Sequence, residues 1–231
     1  MEIRDASALV TGAGRGIGRS IALALAREGA RLTVVSRTAP ELDTLVEEIE
    51  TVGGRGVAFA GDLRSPSACN AAVATAVECF GGLQILVNNA GVGVHSNLGD
   101  TTDEEWGTIL ETNLSAPFRL ARAALPHLAR LGGHVVMVSS LAGKNPIAGL
   151  AAYCASKAAL DQLAACLMLE VRHQGVKVTT IAPGSVDTAF GGAPRAAAST
   201  QPALVFPIPV LDAASRRFGV GIGHHRYPIV A

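Results

Sequence analysis

Tyr153-Cys154-Ala155-Ser156-Lys157 sets a phenol and an ammonium four positions apart. On a helix that spacing puts both on one face, a turn from each other. A phenol unaided is a poor acid or base, with an ordinary pKa of ~10. A neighbouring cation favours the phenolate, and a fall of two or three units corresponds to about 3–4 kcal/mol. Such a fall would bring the phenol near the pH where general acid/base catalysis works best. Lys157 together with an oxidised nicotinamide is therefore expected to make Tyr153 more acidic. The spacing alone is common on surface helices, so its weight comes from what surrounds it.

A second group precedes it in the chain. Thr11-Gly12-Ala13-Gly14-Arg15-Gly16-Ile17-Gly18 follows a short apolar run and opens a helical stretch. Glycines allow a tight turn and let backbone N–H groups approach a pyrophosphate, which the helix N-terminus also favours. The spacing is G-x-x-x-G-x-G, not the commoner G-x-G-x-x-G dinucleotide fingerprint. In an NAD site an acid near the end of the second strand holds the ribose 2′-hydroxyl. Here that position reads Val34-Val35-Ser36-Arg37-Thr38, with no acid. Arg37 suits a 2′-phosphate, with Ser36 or Thr38 as neutral donors and Arg15 approaching from the glycine loop. One charge-assisted hydrogen bond contributes roughly 1.5–3 kcal/mol, a preference of about tenfold or more. The expected cofactor is NADP(H).

These groups need a scaffold. Apolar, partly β-branched runs at 7–11, 31–37, 56–63, 83–88, 133–140 and 177–182 read as strands. Helical stretches at 17–28, 40–50, 66–80, 103–131 and 151–174 alternate with them, Pro117 dividing the fourth and Pro126 offering a kink. Strands apolar on both faces suit a parallel sheet covered on both sides. The expected fold is α/β: a single doubly wound, Rossmann-type parallel sheet with helices on both faces, its ligand crevice at the strands' carboxyl ends. Residues 1–190 would form the dinucleotide-binding and catalytic domain. Residues 191–231 would be a substrate loop and an atypical C-terminal tail of the same domain, broken by Pro194, Pro202, Pro207, Pro209 and Pro228. Within it 203–210 reads as extended. The tail matches neither a normal helix nor a closing strand, as a truncation, divergence or frame shift would produce, and as an unusual but native ending would too.

Composition excludes several classes. Nineteen acidic and nineteen basic residues balance, so no net field draws nucleic acid or anionic membrane. Cys69, Cys79, Cys154 and Cys166 show no C-x-x-C spacing, and the six histidines no H-E-x-x-H; no metal site is expected. No apolar run reaches membrane-spanning length and no signal peptide opens the chain, so a cytoplasmic location is expected. Trp106 reads as packing, His95 as a solvent-facing loop residue, and His224-His225 as a pair without metal-binding partners.

Taken together, Thr11-Gly12-x-x-x-Gly16-x-Gly18, Asn88-Asn89-Ala90-Gly91, Ser140, Tyr153-x-x-x-Lys157 and Pro183-Gly184 resemble the short-chain dehydrogenase/reductase family in order and spacing, over residues 5–190 or so. The resemblance implies hydride exchange between NADP(H) and a ketone or secondary alcohol, with a 3-oxoacyl thioester among the candidate substrates. Tyr153 would be the acid/base and Lys157 would bind the nicotinamide ribose. Ser140 would hydrogen-bond the substrate oxygen, and Asn113 would hold a water in a proton relay. Ser139 should face the other way, since side chains alternate along a strand. Gly12, Gly14, Arg15, Gly16, Ile17 and Gly18 would meet the pyrophosphate side, Ser36 and Arg37 the 2′-phosphate, and Asp62 and Leu63 the adenine. Asn89, Ala90 and Gly91 would line the ribose, and Pro183, Gly184, Val186 and Thr188 the carboxamide. Asn88 would tie strands together. Relatives pack the tyrosine-bearing helix on a symmetry mate, so a homodimer or homotetramer is implied. The competing class is a dinucleotide-binding sensor or interaction protein, catalytically impaired by its tail.

Overall fold

The computed structural model describes residues 2–186 and Phe190. Six strands, β1 (Ser7–Thr11), β2 (Arg31–Ser36), β3 (Arg55–Ala60), β4 (Ile85–Asn88), β5 (His134–Val138) and β6 (Lys177–Ile181), form one sheet in the order β3-β2-β1-β4-β5-β6. Every neighbouring pair is parallel. The chain works outward from β1 to β3, then restarts on the other side with β4. That reversal opens a crevice at the carboxyl ends, between β1 and β4. The doubly wound, Rossmann-type fold expected from the sequence is the one observed.

The strands sort their side chains by parity. Leu9, Val35, Leu86, Val135 and Met137 join α3 (Pro66–Phe80), α5 (Ala116–Leu131) and α6 (Ala151–Val171) in one buried cluster. Ala8, Val10, Leu32, Val34, Val87 and Val136 join α1 (Gly16–Arg27) and α2 (Ala39–Thr51) in the other. With a period of two, both faces are apolar, and both are covered.

Boundaries differ where the chain turns into the crevice. β3 stops at Ala60 and β5 at Val138, so Asp62, Leu63, Ser139 and Ser140 lie on loops. The stretch expected as a helix at 103–131 is three pieces. α4 (Asp103–Leu110) starts from a capping box between Thr102 and Glu105. A π-helical turn, Glu111–Ser115, follows, and then α5. Pro117 has no N–H to return to the carbonyl four residues earlier, that of Asn113, which favours the widened turn there. Pro126 does not break α5, which runs on to Leu131. Trp106, expected to pack, is 40% exposed. Thr188, the extended run at 203–210, His224-His225 and the proposed lack of a closing strand fall outside the described residues. No helix among the described residues is long and apolar enough to cross a membrane.

Candidate functional site

The motifs border one crevice of about 1250 Å³. At its centre the turns after β1 and β4 are laced together. The Thr11 hydroxyl accepts from the backbone N–H groups of Asn89 and Ala90 at 3.0 Å each and donates to the Val87 carbonyl. The Asn89 amide donates to the carbonyls of Thr11 at 2.9 Å and Gly12 at 3.3 Å. Gly12 has φ +63°, and a Cβ there would stand 2.9 Å from the Ala90 Cα, so any side chain would pry the turns apart. Gly18 is packed on the Gly12 carbonyl and the Asn89 amide beneath the loop and does not line the crevice. Gly14, Arg15, Gly16 and Ile17 do line it. No acidic residue stands in the first turn of α1 and no side chain caps it, which leaves its N–H groups for an anion.

One end of the crevice is charged. Ser36 bonds within its own turn, accepting from the Thr38 N–H at 3.2 Å. Arg15 and Arg37 line the wall, and neither forms an ion pair among the described residues. Asp62 is gripped by Arg64, with Nη2 to Oδ2 at 2.6 Å and Nε to Oδ2 at 2.9 Å. That hydrogen bonding, with Arg37 as a lesser cause, holds the Asp62 carboxyl below its ordinary value.

The other end carries the acid/base groups. Ser140, two residues past the end of β5, is in extended conformation, and its Oγ accepts from the Ala142 N–H at 3.1 Å. Ser139, as strand alternation requires, points away: it is buried and donates to the Lys157 carbonyl at 3.3 Å. Tyr153 lies in the first turn of α6 on the crevice wall. Lys157, one turn on, is 3% exposed; its Nζ donates to the Val138 carbonyl at 2.9 Å and lies 5.8 Å from the Tyr153 ring centroid. Asn113, fully buried in the π turn, clasps the loop after β4: Nδ2 donates to the Val92 carbonyl at 2.8 Å and to Ser156 Oγ at 3.0 Å, and Oδ1 accepts from the Val92 N–H at 2.8 Å. At Gly91 a Cβ would stand 3.3 Å from Asn113 Oδ1 and 3.5 Å from Lys157 Nζ, so its bareness keeps both reachable.

The protein's own groups, taken alone, do not acidify the phenol. Burial pushes the Tyr153 phenol above its ordinary value, and the Ser140 hydroxyl only partly offsets it. The amine is the group brought down: burial lowers Lys157 to about 8. Desolvation acts against whichever form is charged, so it moves the phenol up and the amine down.

Beside the tyrosine, Ser96 N–H donates to the Gly149 carbonyl at 2.8 Å, and Ser96 and Leu150 form an isolated parallel bridge. Gly149 has φ +76°, and the exposed His95 imidazole fills the place of its missing Cβ. Asn88, as expected, touches no part of the crevice; it faces Met137 on β5.

The chain matches the short chain dehydrogenase family over residues 6–198. The chain belongs to that family. It is similar to the short-chain reductase protein NovJ of Streptomyces niveus, 40% identical over 186 residues, which are 80% of this chain and 71% of the relative. An uncharacterized NAD-dependent oxidoreductase of Mycobacterium tuberculosis is 39% identical over 196 residues, 78% of this chain and 71% of that one. Among solved structures, a metagenomic short-chain oxidoreductase in complex with NADP superposes with a TM-score of 0.76 at 39% identity, covering 80% of this chain and 85% of that one. This short-chain dehydrogenase is thus an oxidoreductase working with a nicotinamide cofactor on small molecules.

The dehydrogenase's crevice fits such a cofactor by its donor set: free helix N–H groups at mid-length, two unpaired guanidiniums and an acceptor carboxylate at one end, a phenol and an ammonium at the other. Two residues escaped the sequence reading. Arg64 braces Asp62, and the Glu41 carboxylate lies against Gly14 on the crevice wall. An arginine two residues beyond Asp62 was a visible signal. Glu41 gave none, because it reaches the site only through the direction in which α2 leaves β2.

Proposed function

We propose that this dehydrogenase is an NADP(H)-linked oxidoreductase that interconverts a ketone and a secondary alcohol, with 3-oxoacyl thioesters among the substrates to be tried. The observation that carries the reading is the convergence of Ser140, Tyr153 and Lys157 on one end of a crevice whose other end offers Arg15 and Arg37, neither in an ion pair among the described residues. Two guanidiniums suit the extra phosphate of NADP, and the solved relative in complex with NADP supports this choice. When bound, the nicotinamide would supply or accept the hydride.

In carbonyl reduction Tyr153 donates its phenolic proton to the substrate oxygen as charge develops there. Its raised pKa keeps the phenol protonated, and so ready to donate, at neutral pH. Ser140 hydrogen-bonds the same oxygen and holds it within reach. The Lys157 ammonium, unobstructed beside Gly91, would bind the ribose hydroxyls and favour the phenolate left behind. Asn113 orders the water that returns a proton toward Lys157. Asp62, held by Arg64, would accept from the adenine amino group, and Pro183, Gly184 and Val186 would border the carboxamide. Self-association as a homodimer or homotetramer would cover Met168 and Leu169 on α6, which are 38% and 56% exposed.

The test is oxidation of NADPH and NADH over a panel of ketones and 3-oxoacyl thioesters, with the wild type and Arg37→Asp. The expected result is turnover with a preference for NADPH, which the variant reduces at least tenfold. Tight NADPH binding without turnover across the panel would instead favour a sensor, and an unchanged preference in the variant would remove Arg37 from cofactor choice.

A further inference from the structure

The crevice wall beside Tyr153 differs in kind from the rest. Leu141, Ile147, Val186 and Phe190 all line it, and they are 47%, 46%, 41% and 46% exposed. Large apolar side chains left open to water on one concave surface mark a place where something apolar binds. One of them packs on the tyrosine. The Phe190 ring is tilted 56° to that of Tyr153, with centroids 5.6 Å apart. Gly93 lies at the foot of both rings: a Cβ there would stand 3.2 Å from Phe190 and 3.3 Å from Tyr153 Cδ2, closer than side chains normally pack.

Charge is distributed the opposite way. Arg15, Arg37, Glu41, Asp62 and Arg64 line the crevice at the far end, where β2 and β3 stop. At the phenol end the charged side chain on the wall, among the described residues, is Lys157, and its ammonium is buried on the Val138 carbonyl. A substrate carboxylate placed among Leu141, Ile147 and Phe190 would lose its hydration without gaining a partner.

We propose that the substrate is an uncharged ketone or secondary alcohol with an apolar substituent seated against Leu141, Ile147 and Phe190, and that substrates carrying a carboxylate on that substituent are rejected. The inference rests on the oxidoreductase reading and narrows it.

A matched pair of ketones tests it: methyl 4-acetylbenzoate and 4-acetylbenzoate share the reacting carbonyl and differ in charge across the ring. NADPH oxidation by the full chain should show kcat/KM at least tenfold higher for the ester. Ile147→Lys should narrow that ratio at least fivefold by giving the carboxylate a partner. Equal turnover of the two, or preference for the carboxylate, overturns the inference and leaves the oxidoreductase reading standing. The same holds if other ketones are reduced but neither of these is. If the wild type binds NADPH, read by quenching of nucleotide fluorescence, yet reduces no ketone at all, both readings fall. Since the wild-type pair decides the matter, a poorly folding variant does not.

Discussion

The two ends of the crevice are built on opposite plans. Where β2 and β3 stop, the residues are charged, half-exposed and held by single turns: Arg37 stands unpaired, and the Arg64–Asp62 pair is on the surface, with side chains 44% and 39% exposed. Where β5 and α6 meet, Lys157 and Asn113 are buried and each polar group on them already has a protein partner. The first plan gives discrimination that charge substitutions can tune; the second gives fixed geometry that tolerates little change. Surface ion pairs contribute ~0–1 kcal/mol, whereas a buried polar group stripped of its partner costs about 1–3 kcal/mol.

The contrast is sharpest at Tyr153. Tyr153→Phe should lower kcat by about 10³-fold, within the range for a lost general acid, while NADPH affinity changes less than threefold; steady-state kinetics and nucleotide titration measure the two. Next in size is the stability carried by Lys157. Its folded pKa of about 8 lies below the ordinary lysine value of 10.5, so between those pH values the unfolded chain binds the extra proton. Stability should therefore rise from pH 8 to pH 10.5, by at most ~3 kcal/mol from 1.36 kcal/mol per unit. Below pH 8 the charged amine is present in both states and this contribution is flat. Urea unfolding across that window should show the slope in the wild type and lose it in Lys157→Met.

Asn113→Ala removes three hydrogen bonds and leaves the Val92 backbone unpaired. Destabilisation of about 2–3 kcal/mol is expected by denaturant titration, with a lower kcat as the loop after β4 loosens. The smallest effect belongs to the exposed end. Glu41→Gln removes a negative charge from the wall where a 2′-phosphate would lie, and should raise the NADPH/NADH ratio of kcat/KM by about threefold, as suits a half-exposed pair. An equal or larger loss of stability in Glu41→Gln than in Asn113→Ala would erase the distinction between the two ends.

What could be read from the sequence follows the same line. The six strands and their order along the chain were legible, because apolar runs such as Leu32–Val35 and Val135–Val138 stand between glycines and amphipathic stretches. The position of Asn113 was legible but not its π turn, since a single widened turn leaves hydrophobic spacing almost unchanged and only the place of Pro117 hints at it. The burial that raises the Tyr153 phenol in the protein alone was not legible, because spacing reports which groups are neighbours and says nothing of how much water the fold removes. Glu41 depends on the exit angle of α2, which no local pattern encodes. The separate engagement of the Ser139 hydroxyl by the Lys157 carbonyl was legible, since strand alternation is a local rule that survives just past the end of β5.

The His95–Gly149 contact has a practical meaning for anyone reshaping this enzyme. Because the backbone at 149 sits at φ +76°, which side chains rarely adopt, any substitution there is strained, and a methyl group would also have to displace the His95 ring. Two residues upstream, Ile147 projects into open space and leaves the clasp untouched. Libraries aimed at new substrates will yield folded proteins at the second position and mostly damaged ones at the first.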